Sequence, residues 1–294
     1  MKEMRNPSSG FLIFISMQFK KDNLLTLLLL FPGLVFFIGL FIYPLCITFT
    51  NSLTISNHTG YSLQNYIDLL SSAKYWNVIG ITFVLAISTT ILSVLIALPL
   101  ALILRKRVKG HTFIRLLILL PLTVLALISA LGLLIVWDKN GWVNLFLTQV
   151  LPFIDEPLKI NYTLYGLILF YAWLYSPHTI LMTLSSIEGI DRNVEQAATI
   201  TGAKPFEVFR YITLPLSMSG IRSGSVMTFL LAFGAFNVPL IAGGNYRPLT
   251  VAIYTEAGVF NNWPKASALA IIMGILEIIF ILIYFKLTKK RSAA

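Results

Sequence analysis

The chain has 294 residues, of which 57% are hydrophobic and 12% are charged, and its mean hydropathy is +0.82. The charge content is about half that of ordinary soluble domains, which excludes a water-soluble enzyme or a disordered tail as a description of the whole chain. Although the net charge is +10, too little aqueous surface remains for a basic nucleic-acid groove, and the one cysteine, Cys46, excludes an intrachain disulfide framework.

Six stretches are long and apolar enough to cross a bilayer, whose hydrocarbon core of about 30 Å takes some 20 residues of helix. Because backbone groups in lipid must be bonded internally, and because these runs lack the alternation of barrel strands, they are predicted to be helices. The predicted spans are 24–49, 78–104, 115–138, 163–184, 224–242 and 266–285. A shorter apolar stretch at 11–19 is predicted to be an interfacial helix.

Basic residues are distributed unequally between the two sides of these predicted spans. Seventeen of the 22 Lys and Arg lie in the amino-terminal segment, the loops after the second and fourth spans, and the carboxy-terminal segment. Lys and Arg concentrate on the cytoplasmic side of multi-pass membrane proteins. The chain is therefore predicted to be a multi-pass membrane protein with both termini in the cytoplasm.

The loop after the fourth predicted span, 188–217, has the amphipathic pattern of folded helices rather than the composition of a linker. Asp191 or Asn193 is predicted to cap a first helix that ends at Gly202. Pro205 is predicted to begin a second helix that ends before Pro215. The apolar face of the first helix consists of Val194, Ala197, Ala198 and Thr201, and that of the second consists of Phe206, Phe209 and Ile212. The loop is therefore predicted to fold as a compact helical hairpin.

Two interpretations of this hairpin follow from its pattern. In the first, it rests on the inner leaflet as a pair of interfacial helices. In the second, it docks a cytosolic protein, because small alanines permit close approach and Phe206 and Phe209 can serve as anchors. Periodicity alone does not decide between them.

The residue identities in the hairpin resemble a known motif. The stretch from Gln196 to Gly202 reads QAATITG, and nine residues later the stretch from Ile212 to Pro215 reads ITLP. This is similar to the cytoplasmic signature of the permease subunits of ATP-binding-cassette (ABC) importers, which reads Glu-Ala-Ala, three residues, Gly, nine residues and Ile-x-Leu-Pro. Six of the seven signature positions agree; Gln196 stands where the family usually has Glu, and Glu195 lies one residue earlier.

The resemblance implies an all-α, polytopic membrane protein with six transmembrane helices and a cytoplasmic coupling-helix hairpin. It implies a tail, first span and outer loop at 1–74, a permease domain at 75–285 that contains the coupling loop 188–217, and a basic tail at 286–294. The residues implied to couple the chain to an ATPase are Glu195, Gln196, Ala197, Ala198, Gly202, Phe206, Phe209, Ile212, Leu214 and Pro215.

The same resemblance implies the partners of the chain. They are a cytosolic ABC ATPase dimer, a second permease subunit that is homologous or identical, an extracytoplasmic solute-binding protein and the lipid bilayer, with no nucleic acid. The chain itself is implied to be no enzyme and to bind no cofactor or metal, because the partner ATPase uses the ATP and Mg²⁺. The stretches from Phe233 to Gly244 and from Asn262 to Pro264 are similar to permeases of the spermidine and putrescine type, which makes a polyamine the expected solute.

No GxxxxGK[ST] phosphate loop occurs in the sequence, so energy for transport must come from another subunit or from an ion gradient. The alternative function is therefore a gradient-driven secondary transporter or channel, which needs ionisable groups inside the membrane. Candidate residues for a translocation path are Asn237, Glu277 and His178. Glu277 either meets a cationic substrate or pairs with a polar neighbour, and His178 beside Pro177 is expected to be a packing residue rather than a proton relay. Because the three histidines lie on different segments, a metal-dependent membrane hydrolase is disfavoured.

Overall fold

A computed structural model describes residues 28–55, 58–106, 110–151 and 154–289 of the chain, and the predicted interfacial helix at 11–19 lies outside them. The described part is helical apart from one short antiparallel hairpin of strands β1 (Thr54–Ile55) and β2 (His58–Tyr61). The helices are α1 (Leu28–Ser52), α2 (Gln64–Ser71), α3 (Ala73–Arg105), α4 (His111–Thr123), α5 (Ala126–Val136), α6 (Trp142–Gln149), α7 (Leu164–Glu188), α8 (Arg192–Ile200), α9 (Pro205–Phe233), α10 (Asn237–Ala242), α11 (Leu249–Val259) and α12 (Trp263–Lys289).

Five helices, α1, α3, α7, α9 and α12, are long and apolar enough to cross a membrane, and α4 with α5 forms a sixth apolar stretch. The predicted first, second, fourth and sixth spans correspond to α1, α3, α7 and α12. The predicted bounds agree best where a charged residue marks the end of a helix, as Arg105 does for α3 and Glu188 does for α7. The predicted all-α, polytopic fold is confirmed.

The third predicted span, 115–138, is a broken pair of helices rather than one straight helix. The axes of α4 and α5 are bent by 114° relative to each other, because Val124 and Leu125 both take extended backbone, with ψ of 135° and 134°. Pro121 weakens the last turn of α4, since it has no N–H to donate. Side chains of α4 pack with the final turns of α3 and α7, and those of α5 pack nearer the beginnings of the same helices. The bent pair therefore joins the two ends of the bundle.

The predicted bounds of the fifth span, 224–242, are wrong. The helix α9 begins at Pro205 and ends at Phe233, and α10 begins only at Asn237. In the break between them, the carbonyl oxygen of Ala235 accepts a hydrogen bond of 2.6 Å from the Thr250 hydroxyl. A broken backbone is tolerated at membrane depth where protein groups satisfy it in this way.

Helices α3, α7 and α9 pack together as the centre of the bundle. The Thr179 hydroxyl of α7 donates to the carbonyl oxygen of Gly224 on α9 at 3.0 Å and lies 2.7 Å from the Thr228 hydroxyl. Membrane helices associate through close packing and interhelical hydrogen bonds, because lipid is as apolar as their side chains. Gly220 brings α9 close to α7, since an added Cβ would lie 2.3 Å from the carbonyl oxygen of Met182 and 2.4 Å from Cβ of Ser186.

Gly220→Ala is expected to force α7 and α9 apart and to destabilise the protein by about 1–3 kcal/mol, the usual cost of overpacking. Thermal unfolding in detergent measures this as a lower melting temperature. Gly274→Ala on α12 is the matched control, because a Cβ there meets nothing within 4 Å. Equal melting temperatures for the two variants would contradict the close approach of α7 and α9.

Candidate functional site

The segment 191–213 forms a helical hairpin, here called the coupling hairpin, which consists of α8, a glycine turn and the start of α9. Of the two predicted caps, Asp191 is the one used: its carboxylate accepts a hydrogen bond of 2.9 Å from the backbone N–H of Asn193. Gly202 ends α8 with φ of +96°, a left-handed conformation that glycine adopts without strain. At the start of α9, the backbone N–H of Lys204 donates to Glu207 Oε2 at 2.7 Å. Local contacts therefore define both ends of α8 and the beginning of α9.

The second helix of the hairpin does not end before Pro215, as the sequence predicts. It continues through one π-helical turn, Phe209–Thr213, directly into the fifth span. The backbone N–H of Leu214 donates to the carbonyl oxygen of Phe209, five residues earlier. Because the π-helical turn shifts the hydrogen-bond register, Pro215 lies in the first turn of a new α-helical stretch. A proline, which has no N–H, is tolerated at that position. The hairpin is therefore an extension of α9 rather than a separate loop.

One carboxylate holds the coupling hairpin against α3. Glu195 Oε1 accepts a hydrogen bond of 2.7 Å from Nη1 of Arg105, the last residue of α3, and one of 2.6 Å from the Thr213 hydroxyl. Nη2 of Arg105 also donates to the carbonyl oxygen of Ile190 at 3.0 Å. The ion pair is well shielded, since the Arg105 and Glu195 side chains are 11% and 20% exposed. Charge-assisted hydrogen bonds of this kind are short and strong, so α3, α8 and α9 are fixed to one another at this point.

The surroundings of Glu195 act on its pKa in opposite directions. Burial raises it, but the hydrogen bond from Thr213 and the hydrogen bond and positive charge of Arg105 outweigh burial, with help from the charge of Arg192. The net effect is a pKa of Glu195 below its ordinary value of 4.5. Glu195 is therefore a carboxylate at neutral pH and keeps its bond to Arg105.

The outer surface of the hairpin exposes large apolar side chains. Ile200 is 85% exposed and Phe206 is 66% exposed, whereas Phe209 is half-buried. The rings of Phe206 and Phe209 lie near each other, with centroids 6.5 Å apart. The remaining predicted coupling residues surround them: Gln196, Ala197 and Pro215 are exposed, and Ala198, Ile212 and Leu214 are half-buried. Exposed apolar groups concentrated on one small element are typical of a protein-binding or membrane-binding surface.

The three residues predicted to line a translocation path lie apart from the hairpin and from one another. Asn237 is exposed in the first turn of α10, and Glu277 is half-buried in the middle of α12. His178 Nδ1 lies 3.3 Å from the carbonyl oxygen of Tyr175 within α7. Among the described residues, no hydrogen bond joins any two of the three. Their assignment to a path remains a prediction.

Two polar contacts were not predicted from the sequence. Arg105 and Thr213 hold Glu195, and although Arg105 is visible as the first charge after a long apolar run, its partner lies 90 residues away. At the other end of the bundle, the buried Glu256 accepts a hydrogen bond of 2.6 Å from the Tyr75 hydroxyl and so joins α11 to α3. Both are long-range contacts that no local spacing reveals.

Comparisons with known proteins identify relatives of the chain. Residues 93–292 match the family described as "Binding-protein-dependent transport system inner membrane component". The chain is 28% identical over 278 residues to the spermidine/putrescine transport system permease protein PotB of Haemophilus influenzae, which covers 92% of this chain and 95% of that protein. It is 28% identical over 244 residues to the inner membrane ABC transporter permease protein YdcU of Escherichia coli, which covers 79% of this chain and 76% of that protein.

A solved structure has the same fold. It is a crystal structure of a bacterial alginate ABC transporter in complex with an alginate pentasaccharide-bound periplasmic protein. One of its chains superposes with a TM-score of 0.75 at 18% identity, covering 95% of this chain and 98% of that chain.

The lowered pKa of Glu195 predicts how the hairpin responds to acid. Because the folded protein binds the Glu195 proton less readily than the unfolded chain, this carboxylate stabilises the fold at neutral pH and loses that effect as the pH falls below about 4.5. The difference in melting temperature between the wild type and Glu195→Gln is therefore expected to be largest near pH 7 and to shrink on acidification.

Arg105→Gln and the double variant complete a mutant cycle for this pair. If the two side chains act as a unit, the double variant is expected to lose clearly less than the sum of the single losses at pH 7. A pH-independent effect of Glu195→Gln, or strictly additive losses, would contradict the ion pair.

Proposed function

This chain belongs to the family of binding-protein-dependent transport system inner membrane components, and from that membership we propose that a cytosolic ATPase dimer drives it through the coupling hairpin. The chain is a multi-pass permease subunit of an ABC importer. Its proposed orientation places the hairpin and both termini in the cytoplasm, in agreement with the excess of Lys and Arg on that side.

The observation that carries the proposal is the mechanical continuity of the hairpin with the spans. Its second helix is the beginning of α9, its first helix follows α7 after three residues, and Glu195 ties it to the end of α3. A load on the hairpin therefore reaches three spans, which are the same three that form the centre of the bundle. A flexible surface loop would transmit no such load.

Alternating access then needs two arrangements of the bundle whose populations are set by the nucleotide state of the ATPases. Binding of ATP and its Mg²⁺ takes place on the partner ATPase, and this chain supplies the contact surface. Exposed Ile200 and Phe206 are suitable anchors, since large apolar side chains that become buried carry most of the energy of protein interfaces.

The other proposed partners are a second permease, homologous or identical, and an external solute-binding protein. The family description supports the binding protein, and the alginate transporter of the same fold was crystallised with a periplasmic protein. For the solute we propose a polyamine, on the strength of the similarity to PotB. The half-buried Glu277 of α12 supplies a carboxylate suited to a cation in the membrane. Calorimetry on the external binding protein with spermidine, putrescine and an uncharged sugar tests this choice, and binding of the sugar alone would contradict it.

Ile200→Ala and Phe206→Ala are expected to weaken binding of the ATPase by roughly tenfold or more each, because both remove an exposed anchor. Co-purification and affinity measurement with the ATPase check this. Val259→Ala is the control, since Val259 is 64% exposed but lies in α11 at the opposite end of the bundle. Unchanged affinity of the two hairpin variants for the ATPase would contradict docking and favour a hairpin that rests on the inner leaflet.

The orientation is tested with single cysteines at the two ends of the bundle. In a Cys46→Ser background, Thr201→Cys is expected to react with a membrane-impermeant maleimide only from the cytosolic side, and Val259→Cys only from the outside. Labelling of Thr201→Cys in intact cells would place the hairpin outside and contradict the proposal.

A further inference from the structure

A cleft of about 550 Å³ lies between the coupling hairpin and the end of α3. One wall is the last turn of α3, with Leu102, Arg105 and Lys106, and the other is formed by both helices of the hairpin. The hairpin side contributes Arg192, Gln196 and Thr199 from α8, and Pro205 and Phe209 from α9. The cleft is open on one side, and its lining residues Thr199 and Pro205 directly precede the exposed Ile200 and Phe206 in the chain.

The charges around this cleft do not balance. Arg105, Lys106 and Arg192 face a single carboxylate, Glu195, which leaves two positive charges in excess. Glu195 is already engaged, because one of its oxygens accepts hydrogen bonds from both Arg105 and Thr213. It is therefore committed to holding the hairpin in place and is poorly available to a second protein.

Lys106 and Arg192 supply the free positive charge. Both are exposed, and among the described residues neither forms an ion pair. Arg192 makes one long contact, from Nη2 to the carbonyl oxygen of Arg105 at 3.5 Å, which leaves its other donors open. Gln196, at the position where the resembled signature has a carboxylate, adds a neutral amide that can donate a hydrogen bond.

We propose that this cleft receives an acidic side chain of the partner ATPase, so that docking joins a basic pocket of the permease to a carboxylate on the motor subunit. This proposal rests on the proposed function and names the chemistry of its contact. The fit follows from charge complementarity: two unpaired cations and an amide surround a space large enough for an Asp or Glu side chain with its first water molecules. Because Ile200 and Phe206 each follow a lining residue of the cleft, one protein surface can cover the apolar anchors and fill the cleft together. Such contacts raise the association rate and make binding sensitive to salt.

The test compares the wild type with Lys106→Gln/Arg192→Gln in nanodiscs of phosphatidylcholine, with the ATPase added at 50 and 300 mM NaCl. At low salt the double variant is expected to bind the ATPase about tenfold or more weakly than the wild type. The wild type is expected to lose affinity as the salt concentration rises, and the variant to change much less.

Lys286→Gln is the matched control, because it removes an exposed positive charge from α12, outside both the hairpin and the cleft. It is expected to bind like the wild type. A charge-reversal experiment combines Arg192→Glu in the permease with single substitutions of Asp or Glu by Lys on the docking surface of the ATPase. One of these ATPase substitutions is expected to restore binding to the Arg192→Glu permease. That rescue cannot come from a merely misfolded hairpin.

The outcomes separate the two proposals. If the wild type binds the ATPase and the cleft variants bind it equally well with the same salt dependence, the acidic contact is overturned while ATPase docking stands. If the wild type itself captures no ATPase, the proposed function fails and this contact fails with it. If the variant keeps its ATPase affinity but loses phosphatidylglycerol that co-purifies with the wild type in native mass spectrometry, the cleft holds a lipid headgroup, and the proposal is overturned.

Discussion

The ion pair between Arg105 and Glu195 fixes the coupling hairpin to the bundle. It joins the end of one span to a helical hairpin that is already continuous with two others, and Thr213 shares the same carboxylate oxygen. Without it, the hairpin would keep its two covalent connections and, toward α3, the long contact from Arg192 to the carbonyl oxygen of Arg105. With it, three spans meet at one point, and displacement of the hairpin becomes displacement of the bundle centre. The contact is a positioning device within the permease, which leaves the outer surface of the hairpin free for a partner.

The interior of the bundle combines two kinds of contact. The spans α3, α7 and α9 share a core of large apolar side chains, among them Leu85, Phe170 and Phe233. Beside this core, α7 and α9 approach closely at Gly220, and Thr179 hydrogen-bonds across the same interface. Small residues let membrane helices approach closely, and hydroxyls add hydrogen bonds between them. The break after Phe233 and the 114° angle between α4 and α5 are the two places where an apolar stretch of the chain departs from a continuous helix.

Much of the architecture could be predicted from the sequence, because charged residues such as Arg105 and Glu188 mark helix ends and Gly202 readily adopts the left-handed conformation that ends α8. The break at Val124 and Leu125 could not, since two apolar residues become extended through packing rather than through local preference. Pro215 was a misleading stop signal because a π-helical turn before it shifts the hydrogen-bond register. The partner of Glu195 was also hidden from local analysis: Arg105 lies 90 residues away, and only the parallel packing of α3 and α7 brings it near.

We propose that a cytosolic ATPase binds this permease at the hairpin. The most direct measurement replaces Ile200 with a photo-reactive phenylalanine analogue in the assembled transporter, irradiates membrane vesicles, and identifies the cross-linked protein by mass spectrometry. We expect an adduct with the ATPase subunit that depends on irradiation and changes in yield with bound nucleotide. An adduct with the external binding protein, or with lipid alone, would contradict it.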